Sequence, residues 1–186
     1  RFTPTAALNY RIAPEAQVYM RFAQGFKSGL FNSSTVSPTA VSPENVTSYE
    51  VGVKSDPLSW LRVNLSGYYT GYKDIQVTSR DPVTGVTLLQ NAASARVYGL
   101  EGDIAVRPAD GLNLRAGFSL LKATYRNFRN ALVTIPAVDG LGRPIGGNVS
   151  VVRDVSGKDL TKMPRFMANM GGDYGFDFAG GRLTLA

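Results

Sequence analysis

The chain has 186 residues, with 20 Lys and Arg against 14 Asp and Glu for a net charge of +6, and it contains neither Cys nor His. Disulfides, thiolate or imidazole metal ligation, haem ligation by His, and Ser-His or Cys-His catalysis are excluded within these residues, although a lack of Cys does not fix the compartment. No stretch approaches the ~18 uninterrupted apolar residues of a membrane helix, and the cations are dispersed singly, without the basic run or patch that nucleic-acid binding needs.

In chain order, Phe2, Ala6, Leu8 and Tyr10 alternate with Thr3, Thr5, Asn9 and Arg11 over 2–11. A period of two puts successive side chains on opposite faces, so this is an extended strand. These opening residues carry neither a basic n-region nor an apolar h-region, so a leader is expected to have been removed or the chain to begin inside a longer protein. RIAPEA (11–16) supplies a reversal, and over 16–26 Val18, Met20, Phe22 and Phe26 oppose Gln17, Arg21, Ala23 and Gly25, with Tyr19 as the exception. The long connection KSGLFNSSTVSPTAVSPEN (27–45) leads to 46–54, where Tyr49, Val51 and Val53 oppose Ser48, Glu50 and Lys54. After the short SDPLSW (55–60) comes LRVNLSGYYTGYKDIQV (61–77). Here Leu61, Val63, Leu65, Tyr69, Ile75 and Val77 alternate with Arg62, Asn64, Ser66, Thr70, Asp74 and Gln76, while Tyr68 and Tyr72 blur the polar side and Lys73 breaks the apolar one.

A hairpin is predicted around SRDPVTGVT (79–87), then a strand over 96–107 in which Tyr98, Leu100, Ile104 and Val106 face away from Glu101, Asp103 and Arg107. RPADGL (107–112) turns the chain into 112–125, where Leu112, Leu114, Phe118 and Leu120 oppose Asn113, Arg115 and Ser119. A long connection from Arg126 to about Lys162 precedes the strand over 165–178, and FAGGR (178–182) turns into a last strand from about residue 182. Each short turn carries Pro or Gly, where a tight reversal needs a fixed or permissive φ.

This predicts an all-β, antiparallel up-and-down meander of about eight long strands, with short turns on one side and long loops on the other, the layout of an outer-membrane barrel. The strands match the ~9–11 tilted residues that cross a bilayer. Their charges collect on one side, and Tyr10, Trp60, Tyr69 and Phe178 lie near the ends of apolar faces, where an aromatic girdle would fall. Two alternatives stay open on the pattern alone: a soluble all-β binding domain, and a complete eight-stranded barrel, which would require the first strand to pair with the last.

Several stretches carry a resemblance. RFAQGFKSGLFN (21–32), SPENVTSYEVGVKSD (42–56), NLSGYYTGYKDIQV (64–77), NAASARVYGLEGD (91–103), RPADGLNLRAGFSLLKATY (107–125) and a strand opening with MPR (163–165) together resemble the C-terminal barrel of TonB-dependent outer-membrane receptors of the siderophore type. The resemblance implies that residues 1–186 are a section of a barrel of about 22 strands around an N-terminal plug, with neither the plug nor a TonB box within them. It implies a place in the outer membrane of a Gram-negative bacterium, lipid around the wall, a plug from the same full-length chain, and the TonB-ExbB-ExbD system as the energy source. The ligand would be a ferric siderophore or another scarce small molecule, with no resident cofactor.

Candidate contact residues follow from residue chemistry. Arg21, Arg62, Arg96 and Arg115 are expected on luminal faces, where a guanidinium fork suits an anionic chelate or the plug, or else pairs with acids such as Glu50, Glu101 and Asp103 in the wall. Phe31 and Phe128, in the long connections, are candidates for stacking on a ligand, with Tyr68, Tyr72, Tyr98 and Phe26 as further aromatics. Lys27 and Ser28 in GFKSG are in the wrong order for a phosphate-binding loop. Asp154 and Asp159 lack calcium-loop spacing, and no nucleophile has a base beside it, so no enzyme is expected.

Overall fold

The computed structural model describes residues 2–32, 39–80 and 87–186. The strands are β1 (Thr5–Ala13), β2 (Ala16–Lys27), β3 (Leu30–Asn32), β4 (Thr39–Val41), β5 (Glu44–Leu58), β6 (Leu61–Arg80), β7 (Thr87–Ala109), β8 (Leu112–Asn127), β9 (Ala131–Val138), β10 (Pro144–Arg153), β11 (Phe166–Phe178) and β12 (Gly181–Leu185). The main sheet runs β1-β2-β5-β6-β7-β8-β11-β12, antiparallel throughout. All eight strands of that path fall where alternation places them.

Two-residue turns close β1–β2, β5–β6, β7–β8 and β11–β12. Ala179 (φ 50°) and Gly180 (φ 81°) both have positive φ, the backbone that matches a hairpin's right-handed twist. At Asp110-Gly111 the constraint is also steric: Gly111 has φ 78°, and a Cβ there would stand 2.0 Å from the Gly175 carbonyl oxygen. Only glycine fits that turn.

The long connections differ from expectation. Residues 27–45 contain the β3–β4 hairpin, and the stretch after Arg126 contains the β9–β10 hairpin, whose β9 touches β6 through Ser79 and Ala131. The three-residue strands β3 and β4 carry too few alternating positions to stand out, and in the longer β9 and β10 the pattern is interrupted by Pro136, Pro144 and the positive-φ Gly146 and Gly147. The tip of the predicted 79–87 hairpin lies outside the described residues, but Arg80 pairs with Thr87 at its base.

Register joins the alternation into rows that cross the sheet. One runs Leu8–Met20–Val51–Gly67–Leu100–Leu120–Phe166, and the next Tyr10–Val18–Val53–Leu65–Gly102–Phe118–Ala168. No second layer covers this face among the described residues: Met20 is 60% exposed, Leu100 50% and Phe118 39%. A soluble sandwich would bury these side chains between two sheets, so that alternative fails. The complete small barrel fails too, because β1 pairs with β2 and β12 with β11, and the path does not close.

Among the described residues burial lies toward the long-loop end, where Ala93, Phe128 and Ala131 form a small cluster with Ile75, Val77, Tyr125, Val133 and Val155 packed against it. Ile75 and Val77 therefore leave the exposed apolar face on which alternation places them. The cause is the irregularity that Lys73 announces. β6 gains a residue between Tyr72 and Ile75, with Asp74 at φ 58°, and β7 gains one between Ala93 and Asn91. Paired bulges restore the ladder and re-aim the side chains beyond them.

Candidate functional site

The opposite face carries the charge. Its rows read Ala7–Arg21–Glu50–Tyr68–Gly99–Leu121, Asn9–Tyr19–Gly52–Ser66–Glu101–Ser119–Met167 and Arg11–Gln17–Lys54–Asn64–Asp103–Gly117–Asn169. These groups are tied laterally. The Tyr19 hydroxyl donates to Glu50 Oε1 at 2.6 Å, Asn64 Nδ2 to Asp103 Oδ2 at 2.7 Å, and Ser119 Oγ to Glu101 Oε1 at 3.3 Å. Tyr19, the exception to alternation in β2, lies across Gly52, with Lys54 Nζ 5.4 Å from its ring centroid.

Of the predicted residues, Arg21, Arg62 and Arg115 are on this polar face. Arg62 forks onto Asp56, Nε to Oδ1 at 2.6 Å and Nη2 to Oδ2 at 3.1 Å, beside the β5–β6 turn. Arg115 Nη2 lies 3.7 Å from Asp173 Oδ1, whose other oxygen accepts from Asn113 Nδ2 at 2.6 Å. Both arginines sit toward the short-turn end and are engaged with the wall. Arg21 stands opposite Glu50 in register, but Tyr19 holds that carboxylate, and Arg21 forms no ion pair among the described residues.

Arg96 corrects the reading. Register sets it opposite Gly71 and Thr124, two residues from Tyr98, so it belongs to the apolar face. Its Nε donates to Thr124 Oγ1 at 3.2 Å, above the apolar band. Tyr98 is on that outer face as well, in the aromatic row Phe22–Tyr49–Tyr69–Tyr98. Phe128 is 7% exposed, its ring 5.2 Å from that of Tyr125; it packs the loop cluster and presents no stacking surface. Phe31 is 70% exposed in β3 at the long-loop end.

Aromatics bracket the apolar band. Trp60 and Tyr69 are nine positions apart on one chain segment, about 30 Å of strand, which at the usual tilt covers about 21–25 Å of height, the span of a barrel's lipid-facing belt.

The loop carboxylates have structural partners. Backbone N–H donation from Arg143 and Leu141 holds the Asp139 carboxyl below the usual range. The Asp154 carboxyl is likewise lowered by Ser156, and that of Asp159 by the Arg165 guanidinium. Among the described residues no three or more carboxylates gather as metal ligands. Sequence reasoning missed Gln76 and Asn91, whose amides join β6 and β7 to the β3–β4 loop. The signal available for them was the broken alternation at Lys73.

Long antiparallel strands, one oily face, one ionic face, and turns alternately short and long together define a section of the wall of a transmembrane β-barrel. The chain belongs to the family described as TonB dependent receptor-like, beta-barrel, whose profile matches residues 1–186. Among curated relatives, the pesticin receptor of Yersinia enterocolitica is 28% identical over 173 residues, which is 90% of this chain and 25% of that protein. The pesticin receptor of Yersinia pestis matches with the same identity and coverage. Of solved structures, the ferric yersiniabactin uptake receptor FyuA from Yersinia pestis superposes with a TM-score of 0.69 at 19% identity, over 97% of this chain and 24% of that one. The alcaligin outer membrane receptor FauA from Bordetella pertussis gives 0.61 at 21% identity, over 99% and 28%. The chain thus spans about a quarter of the length of the curated relatives it matches. The family is one of receptors and not of enzymes.

Proposed function

We propose that this chain supplies wall and extracellular loops to an outer-membrane, TonB-energised importer of a ferric siderophore. The observation that carries the reading is the two-sided sheet. Uncovered apolar rows suit acyl chains, and the hydrogen-bonded charged rows behind them suit a wet, plugged lumen. In the full-length chain a plug would fill that lumen, and the TonB system would act through the part that precedes the barrel. The structural neighbours named for ferric yersiniabactin and for alcaligin support the ligand class. Within that reading Arg21 is the guanidinium free to meet the plug or an anionic chelate, and Phe31 the aromatic placed to meet ligand at the loop end.

The test is uptake of radiolabelled ferric yersiniabactin by iron-starved cells expressing the intact gene product, with and without TonB. Accumulation should require both the receptor and TonB, and Phe31→Ser and Arg21→Met should each reduce it by about three- to tenfold while surface expression holds, as expected for loss of one stacking or charge-assisted contact. Uptake that proceeds equally without TonB would remove the importer from consideration.

A further inference from the structure

Among the described residues the β3–β4 hairpin has three paired positions, and a two-stranded hairpin is marginal by itself in water. Something else must hold it. Gln76 and Asn91 face each other in the β6–β7 register, and both amides converge on the base of this hairpin. Gln76, 8% exposed, donates through Nε2 to the Ser28 carbonyl at 2.9 Å and to the Ser42 carbonyl at 3.1 Å, touching the loop on both its entering and leaving sides. Asn91 pairs with Ser42 as a β-strand would, accepting its N–H on Oδ1 at 2.7 Å and donating Nδ2 to its carbonyl at 2.8 Å. That same Nδ2 donates to the carbonyl of Asp74 at 2.6 Å, so the amide holding the loop also braces the positive-φ residue of the bulge. The base is tight: a Cβ at Gly29 would stand 2.5 Å from the Val41 carbonyl oxygen.

We propose that Gln76 and Asn91 are positioning residues, a pair of amides on adjacent wall strands that clamps both ends of the β3–β4 hairpin and so fixes where Phe31 stands. The importance of Phe31's place rests on the functional reading above; the clamp itself does not. Both partners of Gln76 Nε2 are carbonyls, so the orientation of its amide is set by the network. Packing alone would ask only for a side chain of the right volume. The clamp asks for donors.

Hydrogen exchange on the intact, assembled receptor separates the two. Gln76→Met keeps the length and removes the donors, and Gln76→Glu keeps the shape and sets carboxylate oxygens against two carbonyls. Both should raise exchange at residues 30–32 and 39–42 by about tenfold or more, with β5 and β8 unchanged, since each hydrogen bond lost is a local-stability change of that order. Asn91→Ala should accelerate the Ser42 amide by about the same factor. Val77→Ala, which alters the neighbouring cluster without touching Ser28 or Ser42, should leave the hairpin at the parental rate. Parental protection in Gln76→Met, to within about twofold, overturns the clamp, as does equal loss of protection in Val77→Ala. Should Gln76→Met fail to assemble, the Ser42 amide in Asn91→Ala decides by the same criterion. With ferric yersiniabactin as probe, Gln76→Met and Phe31→Ala should speed dissociation non-additively; a probe that does not bind the parent counts against the ligand assignment, while exchange still decides the clamp.

Discussion

At Gly52 a missing side chain decides what two others do. A Cβ there would lie 2.6 Å from the Tyr19 ring, so glycine is what lets Tyr19 lie flat across β5 and reach Glu50. Glu50, being satisfied, leaves Arg21 free. Gly52→Val should force the ring off its strand, break the 2.6 Å hydrogen bond and cost about 1–3 kcal/mol, the usual range for overpacking. Gly171→Ala is the matched control, because a Cβ at Gly171 meets nothing within 4 Å, and it should stay within about 0.5 kcal/mol of the parent. Urea unfolding of the receptor in lipid vesicles measures both. The exposed Arg62–Asp56 fork should contribute far less than its geometry suggests, since water and salt screen it.

Among the elements, the β9–β10 hairpin carries its own acid-sensitive stitch. Asp139 Oδ1 accepts from the backbone of Leu141 and of Arg143, each at 2.9 Å, and Oδ2 from Arg143 Nε at 2.8 Å. Those donors lower the folded carboxyl below its ordinary value. The contribution is therefore complete above that ordinary value and is lost as pH falls through the depressed folded one. A methyl NMR titration of Leu141 should report a transition below the usual aspartate range, and Asp139→Asn should abolish it. A transition at or above the usual range would mean the hairpin tip is open in solution. β6 and β7 form the other instructive element: at 20 and 23 residues they exceed what a bilayer needs, and the excess forms the scaffold onto which the loops dock.

For the whole molecule, the two faces of the sheet make opposite demands on neighbouring residues. Leu65 and Asn64 sit at nearly the same height, about midway between Trp60 and Tyr69, on opposite faces. Leu65→Arg should destabilise the assembled receptor by about 2–4 kcal/mol, the cost of arginine on a lipid face at the bilayer midplane. Asn64→Arg should be nearly neutral, because the new guanidinium meets water and Asp103. Equal costs at the two positions, read from folding titrations into vesicles, would contradict a lipid-facing and water-facing assignment.

The eight strands of the main path, the short turns, the alternation of faces and the family resemblance were legible in the sequence, because each depends on period two and on turn residues a few positions apart; the two loop hairpins were not. Arg21, Arg62 and Arg115 could be placed by parity for the same reason. Arg96 shares its parity with Tyr98 and Leu100, which already sets it on the apolar face; the luminal place expected of it ran against that pattern, and the β6 and β8 register follows the parity. Ile75 and Val77 depend on a pair of compensating bulges, Phe128 on a cluster assembled from four separate strands and loops, and the Gln76–Asn91 pair on contacts to Ser28 and Ser42 more than thirty positions away. Tertiary structure decided these because packing and hydrogen bonding join residues far apart in the chain, whereas alternation reports only which way neighbours point.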